Sequence, residues 1–363
     1  MPRDNLKTLN RSHVTALLAL SMAVPAFAQS SVTLYGTVDT GVLSMSNYSG
    51  GVGYLPSTVN NGSGFKLKDG GLGASNWGIK GNEDLGGGLA AIAQVESGFD
   101  VSTGASQQSA LFGRQAFVGV KSGWGQLTMG RQYGAYDDMK GALSTLGNSS
   151  FDPTGGPGVA FGASGPTAAR SLGAWVGYAP RLNNTIKFQT ANYSGFTGSV
   201  AYGLGEDKTA TLSASSSLSI GGMYANGPIA VALVHQNEGF ARTAANNRKN
   251  ELENTLLAGS YDFGVVKLGG GYNEARVTAS GIGGNKAKEW YLGAGVPLGA
   301  LTLKGQYARS KISGRSSDDS IGLQAEYDMS KRTTAYFGFN STKLKSINDN
   351  TNRRVGVGIR HKF

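Results

Sequence analysis

Few residues of this 363-residue chain could do covalent or metal chemistry. It has no cysteine and three histidines, His13, His235 and His361. No His-Glu-x-x-His pair occurs, so thiol and zinc sites are not expected. The stretch GIGGNKAK, Gly281 to Lys288, lacks the spacing of a phosphate loop and the Ser or Thr after its lysine. Asp137-Asp138 and Asp318-Asp319 are adjacent acids that read as solvated pairs. No hydroxyl or carboxylate has an assignable base partner. No enzyme activity, metal or cofactor is therefore expected. What remains is electrostatic: single Lys, Arg, Asp and Glu residues spaced two apart along extended segments, which bring charge to one face of a strand. Charge so placed can sort ions and polar solutes without reacting with them.

The elements that must carry these charges are clearest at the C-terminus. In Arg353 to Phe363, Val355, Val357, Ile359, His361 and Phe363 share one face, and Arg354, Gly356, Gly358, Arg360 and Lys362 share the other. A chain that stops on an aromatic after such a strand fits a transmembrane barrel. There the closing strand pairs with the first, and the aromatic sits in the interfacial girdle. At the other end Arg3, Lys7 and Arg11 precede an apolar run, Val14 to Val24. Ala26-Phe27-Ala28 follows as a small-x-small site. Residues 1–28 are thus read as a cleaved secretory signal peptide and 29–363 as a single barrel domain.

Composition agrees. Apolar residues make up 39% of the chain and glycines number 57. No run of about 18 apolar residues exists to span a bilayer as a helix. Export without cysteine means that stability does not come from disulfides. The precursor carries +10, and removal of a leader with three basic residues and one acid leaves about +8. The basic residues are scattered singly along strands, with no nucleic-acid-binding motif, so a positive lumen is expected and nucleic acid is not.

Sixteen period-2 segments run from Ser31 to Phe363: 31–45, 74–84, 88–99, 111–121, 125–134, 181–192, 196–206, 214–226, 229–238, 251–262, 265–279, 286–297, 301–312, 318–329, 333–344 and 352–363. Short turns such as Asn226-Gly227 and Leu298-Gly299 alternate with long polar connections such as 46–73, 100–110 and 239–250. That is the arrangement of periplasmic turns and external loops. The inner face reads polar. Trp77 and Ile79 face lipid while Asn76, Lys80 and Asn82 face inward, and Ile186 and Phe188 face lipid while Arg181 and Lys187 face inward. A polar interior predicts water in the lumen. The longest gap, about 135–180, holds Phe151, Phe161 and Trp175 with little charge, and is expected to fold into the barrel. A helix is expected over 137–145. Strict alternation places Arg131 on the face of Leu127 and Met129, so a lumenal Arg131 requires a bulge or an apolar patch beneath the loop.

The stretches WGIKGNEDLGGGLAAIAQVESGF (Trp77 to Phe99), GRQAFVGVKSGWGQLTMGRQY (Gly113 to Tyr133), YDMSKRT (Tyr327 to Thr333) and the terminal RHKF resemble the general porins of Gram-negative outer membranes, in their betaproteobacterial branch. The resemblance covers essentially the whole mature chain. It implies a homotrimer of sixteen-stranded barrels in the outer membrane, each narrowed by its third loop. It also implies a constriction with basic Lys80, Arg131 and Arg181 facing acidic Asp152 and Glu96. The terminal Phe363, with His361, Ile359 and Val357, is by the same resemblance a signal for the outer-membrane barrel insertion machinery. Two departures stand out. Asn76 replaces an arginine common in relatives, and the family's acidic loop element appears only as FDPTGGPG, Phe151 to Gly158.

The expectation is therefore an all-β transmembrane antiparallel barrel of 16 strands, its third loop in the lumen. It passes ions and small hydrophilic solutes passively through a bilayer. Asp39, Arg114, Lys187, Lys304, Arg354 and Arg360 are further lumen-lining candidates, and the basic excess predicts a moderate anion preference. Two alternatives stand beside it. A substrate-specific porin of the same fold would use lumenal Tyr35, Tyr291 and Tyr336. A secreted lectin or adhesin would not be in a membrane at all.

Overall fold

A computed structural model of the chain describes residues 30–46, 64–155, 161–162, 165–166, 173–211, 213–240, 251–279, 282–346 and 349–363. The proposed signal peptide, 1–28, lies outside them, as do parts of the third loop. The alternation read from sequence is realised almost strand for strand. The strands are β1 (Ser31–Ser46), β2 in two runs (Phe65–Asp69 and Asn76–Gly86), β3 (Leu89–Gly98), β4 (Gln115–Ser122) and β5 (Gly125–Tyr133). After the third loop come β6 (Arg181–Thr190), β7 (Phe196–Leu204), β8 (Ser216–Asn226), β9 (Ile229–Gly239) and β10 (Glu251–Asp262). The last six are β11 (Lys267–Ala279), β12 (Ile282–Leu298), β13 (Leu301–Ile312), β14 (Ser317–Asp328), β15 (Thr333–Leu344) and β16 (Asn350–Lys362). Each pairs antiparallel with its neighbours.

The sheet closes on itself. β16 pairs with β1 from Thr37↔Lys362 to Ser46↔Arg353, and Gly36 and Phe363 exchange backbone hydrogen bonds of 3.1 Å. Closure leaves no open edge in hydrocarbon, where each unpaired backbone group would cost several kcal/mol. Ile79, Ile186, Leu257, Leu292, Val357 and Ile359 are exposed on the outer wall, where lipid rather than water covers them.

The second strand departs from the sequence reading, which had 46–73 as a loop. Phe65–Asp69 pairs with the upper half of β1. The strand breaks at 70–75 because Asp39 pulls the chain inward. Its carboxylate accepts from the backbone N–H groups of Gly71 (3.1 Å), Leu72 (2.8 Å) and Gly73 (2.9 Å).

The third loop starts as a helix, α1 (Ala135–Leu143), two residues earlier than expected. The helix lies against the inner wall. Tyr136, Met139 and Leu143 pack with Val234, Leu256 and Tyr291 and with Trp175 and Tyr178 of the returning limb, all buried. An inner wall that carries these apolar residues would face water without the loop, so burying them favours the inward fold.

Candidate pore constriction

The loop is bolted to the wall at several points around the barrel. Near its start Tyr136 donates from its hydroxyl to Asn273 Oδ1 (3.0 Å), and the Ser219 hydroxyl accepts from its backbone N–H (3.0 Å). Tyr291 donates to the carbonyl of Leu143 (3.1 Å), and Thr145 N–H donates to Gln306 Oε1 (2.9 Å). On the far side Ser150 N–H donates to Gly71 O (2.9 Å), and Arg354 donates to Ser150 O. The return limb is held by two wall carboxylates. Glu289 accepts from Val176 N–H (2.7 Å) and Glu238 from Ala179 N–H (2.8 Å). The loop thus crosses the lumen and is held to the wall on both sides.

Charges divide into two groups. The buried carboxylates are consumed. Asp152 is 1% exposed and bonded to Ser144 Oγ (2.9 Å), Gln306 Nε2 (2.9 Å) and Thr154 N–H (2.9 Å). Glu96 forms an ion pair with Arg114 and accepts from the Tyr35 hydroxyl (2.7 Å). Arg114 continues to the Tyr133 hydroxyl (2.9 Å), which also receives Arg181, whose guanidinium stacks 4.4 Å from the Tyr133 ring centre. Lys187 pairs with Asp138 (2.7 Å) and Lys304 with Glu326 (2.5 Å), and Arg360 lies 3.8 Å from Glu326. Lys80 differs. It is exposed, its ammonium 4.5 Å from the Tyr35 ring centre, and among the described residues no carboxylate lies within 4.0 Å of it. At the external rim the Ser215 N–H, 2.7 Å from Asp207, holds that carboxyl below its usual range.

A family model described as Gram-negative porin matches residues 14–346. The chain belongs to that family. It is similar to an outer membrane porin protein of Bordetella pertussis, 32% identical over 98% of this chain and 100% of the relative. It is likewise similar to outer membrane porin protein 32 of Delftia acidovorans, 29% identical over 97% of this chain and 100% of the relative. Among solved structures, an anion-selective porin from Comamonas acidovorans superposes with a TM-score of 0.74 at 25% identity, covering 92% of this chain and 100% of that one. This porin is accordingly an outer-membrane, multi-pass β-barrel channel for passive diffusion.

Within the porin frame, one residue expected at the pore stands on the outer face, and three others are buried with structural tasks. Arg131 is on the outer face. Thr128 and Gln132 are joined by a 2.6 Å hydrogen bond across the inner face, while Met129, two residues from Arg131, is 52% exposed outside. Arg131 bonds Gly113 O (2.7 Å) and Asn183 beside it. The register shift toward β6 falls at Arg131 itself, between Gly130 and Gln132, but the ladder to β4 stays regular and sets Arg131 opposite Ala116, in the outward row of Val95 and Ile79. Asp152 is no accessible eyelet acid, because its carboxylate ties the loop together and to the wall. Asp39 is buried and holds residues 71–73. Arg354 is buried and serves the loop as an anchor, so it lines no water path.

Lys80, Glu96, Arg114 and Arg181 are joined in one chain of contacts through Tyr35 and Tyr133, and Lys187 supports the root of α1. Lys304 and Arg360 lie together at Glu326. Of the tyrosines, Tyr291 and Tyr336 are buried beneath the loop. Glu238, Glu289 and Gln306 were missed as functional. Their signal lies in the alternation: each is a polar residue on the inner parity of its strand, the face that also carries Val234, Tyr291 or Ala308.

Proposed function

We propose that this porin is a general diffusion pore that works as a homotrimer, with a moderate anion preference set between the third loop and the wall. Lys80 and Arg181 supply the field that anions meet, with Arg114 and Lys187 behind them. The observation that carries this reading is the asymmetry of use. The buried acids Asp152, Glu96, Glu238 and Glu289 are tied to loop backbone or to a cation, whereas Lys80 is exposed with no acid partner among the described residues. Fixed charge beside a low-dielectric wall acts on a passing ion with less screening than surface charge. Rings or ladders of Lys and Arg are the usual device of anion pores.

The trimer is supported by the trimer form of a Vibrio cholerae outer membrane protein that shares this fold (TM-score 0.61, 16% identity). Anion preference is supported by the anion-selective Comamonas porin. Small hydrophilic solutes are the cargo, and the reading assigns no catalytic step. Residues 1–28 as an export signal, and Val357, Ile359, His361 and Phe363 as the signal for the insertion machinery, belong to the same proposal. A substrate-specific pore is disfavoured because Tyr291 and Tyr336 lie beneath the loop and offer no continuous aromatic track.

Reconstitution in a planar bilayer under a salt gradient tests the reading. Conductance in steps of three and a zero-current potential of anion-selective sign support it. Closed or strongly cation-selective channels refute it.

A further inference from the structure

The outer wall of β10 to β15 can be read in cross-strand rows, because antiparallel partners share a face. One row is Tyr261, Leu268, Ala294, Gly305, Leu323 and Phe339, and it is apolar throughout. Two rows toward the external loops, Tyr272 and Trp290 mark an aromatic girdle, with the Trp290 and Tyr307 rings 5.3 Å apart. The next row is charged: Glu274, Lys288 and Lys311 stand side by side. Beyond it lie Arg276 and Lys286.

Two features of this wall lack an explanation within the barrel. Lys288 and Lys311 are direct cross-strand partners, both exposed. Like charges so placed, with Cβ atoms about 5 Å apart, destabilise a sheet. Among the described residues neither ammonium has a carboxylate within 4.0 Å. Glu274 is drawn instead to Lys286 (2.6 Å), and Asp319 to Arg309 (2.6 Å). The second feature lies two to three rows lower. Gly305, Ala294, Leu292, Leu323, Ile321 and Tyr307 line an open apolar groove of ≈ 480 Å³. The step from the lysine pair to Leu292 and Tyr307 is four residues, about 13 Å along a strand.

We propose that this wall binds a phosphorylated, multiply acylated lipid of the outer leaflet. Its phosphate bridges Lys288 and Lys311, and one acyl chain lies in the Gly305 groove. The vertical order fits an anionic amphiphile: charge at headgroup level, aromatics at the interface, a groove at acyl depth. Basic residues at a membrane surface each favour an anionic headgroup. A neighbouring barrel seated here would instead bury the two lysines against each other.

Native mass spectrometry of the detergent-purified oligomer tests the site with three probes: bisphosphorylated hexaacyl lipid A, the same lipid dephosphorylated, and inorganic phosphate. Wild type should retain the bisphosphorylated lipid. Lys288→Gln with Lys311→Gln should bind it weaker by on the order of tenfold, with conductance and heat-resistant mobility unchanged. Ala294→Phe, which fills the groove, should also weaken it. Equal binding by the double variant, or equal binding of the dephosphorylated lipid, would overturn the proposal. Inorganic phosphate that displaces the lipid fully would reduce the site to a bare anion site and also overturn it. Because the chain has no cysteine, Ala294→Cys gives a clean further check. A disulfide between subunits there would show that a second barrel, not lipid, covers the groove.

Discussion

Phe151 of the third loop sits in a notch that exists because residue 338 is glycine: a Cβ at Gly338 would overlap the Phe151 ring. Gly322, on the adjacent strand, gives the same room to the Phe151 carbonyl. The loop's far end is thereby seated on β14 and β15, opposite the helix that anchors its start. Gly338→Val should evict Phe151 and free that end. Single-channel conductance should rise while the barrel stays folded by heat-modifiable mobility. Phe151→Ala should act in the same direction, since truncating a buried Phe removes about 3 kcal/mol or more of packing. Deleting 148–172 should give the largest rise. A conductance unchanged by all three would mean that the loop does not narrow the pore.

Glu289 organises the return limb. One oxygen receives Val176 N–H and Ser310 Oγ (2.9 Å), and the other receives Asn273 Nδ2 (2.8 Å). Every one of these partners donates. Glu289→Gln places an amide among donors and should cost roughly 1–3 kcal/mol locally. The expected result is cleavage near 173–180 by protease added to intact cells, where wild type resists. Equal resistance in both strains would show that the apolar cluster around Trp175 suffices without the carboxylate.

Phe363 closes the barrel through its backbone pairing with Gly36, and its ring packs on that glycine. Deleting Phe363 should lower the heat-resistant oligomer recovered from the envelope. If the residue acts as an assembly signal, refolding of the same deletion in detergent should be nearly normal, because all 13 residues of β16 remain to pair. An equal loss in detergent would assign Phe363 to barrel closure instead.

The strands were legible because lipid outside and water inside force a period of two on every span. Leu257, Tyr272, Leu292 and Leu323 obey it without exception. The helix begins two residues before the sequence predicts, and the break at 70–75 has no sequence signal, because it depends on Asp39 reaching three backbone N–H groups. The constriction was half legible. Lys80 followed from alternation. Arg131 did not: alternation put it outside, and the family resemblance drew it inward. Asp152 is the lone acid of the described loop after Asp138, yet its burial depends on Gln306 and Ser144, and no spacing rule connects those to it.

Ion preference separates these placements most directly. Lys80 is exposed over the Tyr35 ring, and Arg181 joins the Tyr133 cluster at the root of α1. Arg131 faces outward. Lys80→Gln with Arg181→Gln should therefore shift the zero-current potential toward cations, and Arg131→Gln should leave it nearly unchanged. Asp152→Asn should mainly disturb the loop, seen as altered conductance and not as a clean shift in selectivity. The Debye length falls from about 10 Å at 0.1 M salt to about 3 Å at 1 M, so the wild-type preference for anions should weaken across that range. A double variant with wild-type selectivity would place the filter elsewhere, with Lys304 and Arg360 at Glu326 as the next charges along the path.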